Sequence, residues 1–522
     1  MAPSSRAAVG AARLERALGD WQRPGQGPAY RALAGGLRTL VLDGRVPVEA
    51  RLPAERELSA ALGVSRTTVT AAFELLRDEG FLASRRGAGS WTALPPGRTV
   101  HGAGLSPLPA DLADSVIDLG IAAPSAPEPF LSEAMAAALT QLPQYTDTHG
   151  DFPLGIHVLR HAVADRFTAR GLPTDPEQIM ITTGAAGGFS LLLRHLLAPA
   201  ERVAVESPSY ANSLQALRFA GSRVVPVALH PGSEATDGGN VGSGNADGAN
   251  IGGWDVDGWS RTLRDAAPRL GYLIPDFHNP TGMLMSEDER RALVAAARRT
   301  GTTLIADETM AELSLEPDLV MPPPLAAFDP GGGTVITLGS TGKTFWGGLR
   351  IGWIRASPDL VRRLRADRSS LDVSSPVLEQ LAVAHLLSPE VLPQVLAHQR
   401  HRIRVQRDAL VSALRTALPD WTFRTPLGGL SLWVHTPDGV SGSVLATTAE
   451  RFGVWVGSGP RFGVDGVLER FVRLPYAHPA EVLGEAVRRL AAASATLTGP
   501  HRPEPGRAEP GTMARTSEIA LL

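Results

Sequence analysis

A single lysine stands among the fifty basic residues of this 522-residue chain: Lys343, against 49 arginines. A coding bias toward arginine accounts for the 49 and leaves the exception open. Guanidinium stays charged at any working pH, so arginine cannot stand in where the chemistry needs a neutral primary amine. The obvious chemistry of that kind is a Schiff base to a carbonyl; the plain alternative is the chance survival of one exposed lysine. The neighbours decide. Lys343 lies in Leu338-Gly-Ser-Thr-Gly-Lys343-Thr-Phe-Trp-Gly-Gly-Leu-Arg350, where Ser340 offers a hydroxyl and Arg350 a bidentate cation to a phosphate. Upstream, Ile305-Ala-Asp307-Glu308 closes an apolar run on a carboxylate, at the strand end where α/β folds place ligands. Asp307 can keep a pyridine nitrogen protonated, which makes such a ring an electron sink. Asn279, in Pro275–Gly282 (PDFHNPTG), can donate to a phenolic oxygen, and Tyr210, in SPSY, can stack on a ring. Thr182–Gly187 (TTGAAG) falls between a strand and a helix whose first N–H groups can bind phosphate. Alone, each piece reads as a cap, a turn or helix-entry packing. Five pieces in one order, with the only lysine in the right one, point to pyridoxal phosphate.

A second set of residues suits a different partner. Leu52–Trp91 reads LPAERELSAALGVSRTTVTAAFELLRDEGFLASRRGAGSW. Apolar Leu58, Leu62, Val64, Val69, Phe73 and Leu76 seal two helices, and polar Ser65, Arg66, Thr67 and Thr68 gather at the start of the second. Recognition helices meet base edges from that end. Hydroxyls and helix N–H groups suit phosphate oxygens, and arginine reads guanine. A hairpin tip with Arg85, Arg86, Gly87 and Gly89 follows. Charge adds little, since Ala29–Trp91 has nine arginines against seven acidic residues. A generic three-helix interaction module fits the same spacing.

These residues need elements to hold them. The pattern predicts helices over Ala29–Leu42, Glu55–Leu62 and about Ser65–Glu79, stopped by Asp43-Gly44, Gly63 and Gly80, then a hairpin over Phe81–Thr92. From about Ser115 to Ala493, short β-branched runs (Gln178–Thr182, Arg202–Val205, Tyr272–Ile274, Thr303–Ala306, Val335–Leu338) alternate with longer helical patterns. Such alternation predicts an α/β domain on a largely parallel sheet. The expected division is a flexible arm (1–24), a DNA-binding domain (25–93), a linker (94–114), the α/β domain (115–497) with an exposed insertion loop (231–253), and a disordered tail (498–522). Composition excludes other classes. With no cysteine there are no disulfides and no thiol or cysteine–zinc chemistry, and no metal site is expected. No apolar run reaches the ~18 residues of a membrane span, and no signal-peptide core opens the chain, so a cytoplasmic protein is expected. A net charge of −3 means that any nucleic-acid contact comes from a local patch.

The residues resemble two families in tandem. Leu52–Val69 is similar to the LPsEReLA…LGVSRtTV signature of the GntR winged helix-turn-helix of bacterial repressors. That resemblance implies that Arg56, Ser65, Arg66, Thr67 and Thr68 contact double-stranded DNA, with Gly87–Gly89 at the wing tip. Ser115–Ala493 resembles the fold-type I aminotransferases. By that resemblance Lys343 is the internal aldimine lysine of pyridoxal 5'-phosphate, Asp307 partners the pyridine nitrogen, Asn279 binds the ring oxygen and Tyr210 stacks. Gly184, Ala185, Ala186, Ser340 and Arg350 would cradle the phosphate, and Arg473, in FVRLPY, would hold a substrate carboxylate. Tyr145 is assigned to the stretch that reaches the neighbouring subunit's phosphate. Two positions depart from the family: Met310 stands where a tyrosine usually donates to the ring oxygen, and a thioether cannot donate; Ala185-Ala186 replaces side chains that grip phosphate. The tandem layout resembles the MocR subfamily of transcriptional regulators, which bind pyridoxal phosphate, sense it or an amino compound, and dimerise. The expected function is a regulator of that kind acting on an operator. The alternatives are an active aminotransferase with a vestigial DNA-binding domain, or a repressor with an inert effector half.

Overall fold

The head is built from α1 (Ala11–Leu18), α2 (Ala29–Leu42), α3 (Glu55–Leu62) and α4 (Arg66–Asp78), followed by an antiparallel hairpin of β1 (Leu82–Arg85) and β2 (Gly89–Thr92). The computed structural model describes residues 9–19, 21–22, 28–42, 45–46, 48, 50–85, 89–93, 105, 116–229, 253–464 and 466–498. Leu33, Leu37, Leu58, Val69, Phe73 and Leu76 form the head's core, with Leu62 and Val64 at its margin. Gly63 ends α3 at φ 64°, a left-handed turn that a side chain disfavours. Ser65 then caps α4, its Oγ accepting from the Thr68 N–H at 3.1 Å. The arm expected over residues 1–24 is not loose throughout. Leu14, Ala17 and Leu18 repeat at helical spacing, and α1 lays that stripe on the head, burying Leu14 and Val9. Of the linker, Leu105 alone is described; most of the 231–253 insertion and of the tail lies outside the described residues.

The larger half begins with β3 (Ile117–Leu119) and continues through β4 (Ile179–Thr182), β5 (Arg202–Ser207), β6 (Arg223–Ala228), β7 (Leu270–Leu273), β8 (Thr303–Asp307), β9 (Val335–Ser340) and β10 (Gly352–Arg355). It closes with β11 (Thr422–Phe423), β12 (Ser431–His435), β13 (Val454–Ser458) and β14 (Phe471–Pro475). Seven of these strands form one sheet in the order β4-β10-β9-β8-β7-β5-β6. Its pairs are parallel except those of β10, which runs against β4 and β9. Helices bury both faces, which is why its strands read as continuous apolar runs.

A second sheet, β11-β12-β14-β13-β3, is antiparallel apart from the β13–β3 pair. The strand that opens the α/β half therefore joins strands from its far end. Among the described residues no helix is long and apolar enough to cross a membrane.

Candidate functional site

The parallel strands end on one edge, and the candidate residues sit there. Thr182 closes β4, Asp307 closes β8 and Ser340 closes β9. Tyr210 follows β5 by three residues and Asn279 follows β7 by six. Because β10 runs antiparallel, its start brings Arg350 to the same edge. One close approach sets the geometry: a Cβ on Gly352 would lie 2.5 Å from the Gly184 carbonyl carbon and 2.6 Å from the Ala185 nitrogen. Glycine there lets the start of β10 press against the N-terminus of helix Gly184–Leu196. Arg350, at φ 51°, turns its guanidinium over Gly184 and donates to the Thr183 carbonyl at 3.3 Å. Ser340 caps the short helix Thr341–Thr344, accepting from the Gly342 N–H at 3.1 Å. Ala185 is half-buried and Ala186 exposed in the first turn of helix Gly184–Leu196.

Lys343 projects from the Thr341–Thr344 turn and donates from Nζ to the Ala122 carbonyl at 2.6 Å. Burial, with the Arg473 cation nearby, pushes its amine down to about 8, and Asp307 partly opposes the shift. Asp307 is buried, which raises its carboxyl; the Thr309 N–H at 3.1 Å on Oδ1 and the Tyr272 hydroxyl at 2.8 Å on Oδ2 pull the other way. Tyr272 accepts in turn from Ser213 Oγ at 2.8 Å.

Arg473 is 1% exposed on β14. Burial lowers its guanidinium to about 10, and Tyr210 and Asp118 partly restore it. It donates to Asn279 Oδ1 at 3.3 Å and to the Gly120 carbonyl, and lies 4.9 Å from the centre of the Phe462 ring. Its buried Nε–H has no hydrogen-bond partner among the described residues. Tyr210 feels the charges of Arg473, Asp307 and Arg350, while burial raises its own hydroxyl.

Lys343, Asp307, Arg473, Asn279, Tyr210, Arg350, Ser340 and the Gly184 turn are thus brought together. Tyr145 stands apart, its ring edge-on to Phe152 at 5.7 Å. Met310 is buried among the apolar residues of the second sheet's core. Tyr272, Ser213 and Phe462 were not singled out from sequence. A tyrosine inside the apolar run of β7 was the available signal, since a buried hydroxyl needs a partner.

On the head, Arg56, Ser65, Arg66 and Thr67 are exposed and Thr68 half-buried. The Ser65 hydroxyl lies 2.7 Å from that of Thr67 and 2.8 Å from that of Thr68. The Arg66 side chain is 72% exposed, its Nε 3.9 Å from Glu55. Gly89 opens β2 at φ 103°, while Gly87 lies outside the described residues. Because Ser65 closes the helix end, Ser65→Ala should cost the head about 1 kcal/mol in a thermal melt, whatever it does to DNA.

Residues 114–490 match the family Aminotransferase class I and II, and residues 29–91 match the gntR family of bacterial regulatory proteins. The chain is 28% identical over 503 residues to the HTH-type transcriptional regulator YisV of Bacillus subtilis, spanning 92% of this chain and 98% of that one. It is 28% identical over 451 residues to the probable rhizopine catabolism regulatory protein MocR of Rhizobium meliloti, 82% of this chain and 85% of that one. The α-aminoadipate aminotransferase LysN of Thermus thermophilus, solved with N-(5'-phosphopyridoxyl)-L-leucine, superposes with a TM-score of 0.64 at 28% identity, covering 74% of this chain and 94% of that one. The fold class expected from sequence is found, and with it the family's implied use of pyridoxal phosphate and of DNA. The chain belongs to the class I and II aminotransferase family and carries ahead of it a gntR-family DNA-binding head, the layout of the MocR-like HTH-type transcriptional regulators.

Proposed function

We propose that the protein is a transcriptional regulator that holds pyridoxal phosphate at Lys343 and reports that cofactor, or an amino compound meeting it, to an operator. One observation carries the reading. The only lysine is half-buried, shifted toward its neutral form and within the electrostatic reach of Arg473 and Asp307, in a chain that also presents a polar recognition helix. The donor set fits the cofactor: a primary amine, a buried carboxylate, an amide, an aromatic face, and a helix N-terminus beside an arginine and a hydroxyl. When bound, pyridoxal phosphate supplies an aldehyde and an electron-withdrawing ring.

The chain's residues do the rest. Lys343 offers an amine whose neutral fraction its surroundings raise. Asp307, gripped on both oxygens, keeps a proton on the ring nitrogen. Asn279 spends Oδ1 on Arg473 and donates from Nδ2 to the ring oxygen. Tyr210 covers a ring face. Gly184, Ala185 and Ala186 offer N–H groups to phosphate, which Ser340 and Arg350 complete. Arg473 takes the carboxylate of an amino-acid-like effector, the place where its unpartnered Nε–H gains an acceptor. Arg56, Ser65, Arg66, Thr67, Thr68 and Gly89 face the DNA. A second copy supplies the neighbouring site that Tyr145 serves, and exposed Leu139, Trp346, Leu371 and Val373 are available to that contact. LysN, which holds a phosphopyridoxyl amino acid on the same fold, supports the assignment.

Tyr272→Phe keeps the ring and removes one of the two donors to Asp307. Cofactor retention on gel filtration should fall about tenfold. Unchanged retention would mean that Thr309 alone holds the carboxylate.

The function itself is tested by fluorescence anisotropy on the chain's own upstream DNA, with and without pyridoxal phosphate, at fixed salt because phosphate contacts are salt-sensitive. Specific binding that shifts with cofactor supports the reading; absence of specific binding in either state ends it. The nearly complete catalytic set favours one second reading, an active aminotransferase. Steady-state keto-acid formation from a panel of amino acids separates the two.

A further inference from the structure

Three parts of the molecule meet in one small apolar cluster of Leu105, Ala211, Trp433, Phe462, Val467 and Leu468. The first part is the site. Phe462 is the ring under the Arg473 guanidinium at 4.9 Å, and Ala211 follows Tyr210 directly. The second is the linker. Leu105 is 6% exposed, and its backbone is held at two points by one side chain: its N–H donates to Asn212 Oδ1 at 2.6 Å and its carbonyl accepts from Asn212 Nδ2 at 3.1 Å. The same Asn212 stands two residues after Tyr210, and its amide favours the Tyr210 phenolate, opposing the rise that burial gives that hydroxyl. The third is the head. Val48 packs on the cluster, and the Leu468 N–H donates to the Leu42 carbonyl at the end of α2. Leu468 makes that bond from a left-handed backbone, φ 73°, which a branched side chain disfavours and the surroundings must impose. A separate contact, Arg13 of α1 to Asp255 at 2.8 Å, holds the head from another side.

The chain leaving the linker is tied to the site as well. Gly120 and Ala122, just past β3, give their carbonyls to Arg473 and Lys343. Whatever engages either side chain competes with those bonds.

We infer that this cluster is the docking surface on which the effector half grips its own linker and DNA head, with Asn212 and Phe462 as the residues that transmit occupancy of the site to the grip. The inference rests on the reading that Arg473 and Tyr210 border the effector site. A packed contact of this size is made or broken as a unit, so a small shift of Arg473 or Tyr210 is read as docked or undocked rather than as a graded displacement. The occupant is the protein's own Leu105 and Val48, and no further protein is required.

The test uses the full-length protein, pyridoxal phosphate as the probe, and Leu105→Ala beside wild type. Leu105 lies outside the main cores of both halves, in the small cluster alone, so its truncation leaves both halves folded. Asn212→Ala is the second variant. Cofactor uptake by Leu105→Ala should stay within about twofold of wild type. Its ratio of operator affinities with and without cofactor should fall to within about twofold of one. Amide-resolved hydrogen exchange at Leu105 and Leu468 should change with cofactor in wild type, and Asn212→Ala should speed exchange at Leu105 about tenfold. If Leu105→Ala keeps the wild-type ratio, or if neither amide senses the cofactor, the docking surface is overturned. If both amides respond while wild-type operator affinity does not, the docking surface stands and the regulator reading fails.

Discussion

Lys343→Ala should abolish covalent capture of pyridoxal phosphate. The chain has one lysine, so borohydride reduction of the loaded protein can mark only Lys343 or the N-terminal amine. Peptide mapping should find the wild-type mark on the peptide holding Lys343 and no corresponding mark in the variant. The pH dependence follows from the environment. The nucleophile is the neutral amine. With the Lys343 amine at about 8, roughly one molecule in ten is neutral at pH 7, against about one in three thousand for the ordinary 10.5. Capture should therefore speed up about tenfold per pH unit below 8 and level off above it. A rate still climbing at pH 10 would mean that burial and Arg473 do not depress the amine.

Arg66→Ala should weaken operator binding by roughly tenfold or more, the ~1–3 kcal/mol of a base-edge or well-placed phosphate contact. Arg66 is largely exposed and its one ion pair is long, so the substitution leaves the head's fold alone. Two titrations separate the contacts. Loss confined to the specific sequence marks a base reader; loss on every sequence, with a shallower salt dependence, marks a phosphate contact. Cofactor capture at Lys343 should be untouched. A variant that binds operator as wild type does would move the recognition surface elsewhere.

Local signals were legible where chemistry and punctuation coincide. α2 was readable from its apolar spacing, α3 because Gly63 stops it, and α4 because Ser65 caps it. Five of the seven strands of the larger sheet stood out as short β-branched runs, β6 and β10 being missed, and Lys343, Asp307 and Asn279 stood out as exceptions in composition or motif. What failed was long-range. Nothing near Ile117–Leu119 says that it pairs with β13, more than three hundred residues on. The stripe Leu14, Ala17, Leu18 looked like Ala/Arg-rich filler because its value depends on the groove it fills. Tyr272 was invisible because its meaning lies on the neighbouring strand, in Asp307. Arg473 was placed by resemblance; its seat on Phe462 and its hold on Gly120 come from two elements far apart in sequence.

The central claim is that occupancy of Lys343 sets operator affinity. The most direct measurement compares wild-type protein loaded with pyridoxal phosphate before and after borohydride, which fixes the cofactor to the lysine. Operator binding is followed at fixed salt while the cofactor is dialysed away or an amino-acid panel is added. The account predicts that the untreated protein changes its affinity and the fixed protein does not. If the fixed protein shifts as the untreated one does, the lysine is not the switch and the account is contradicted.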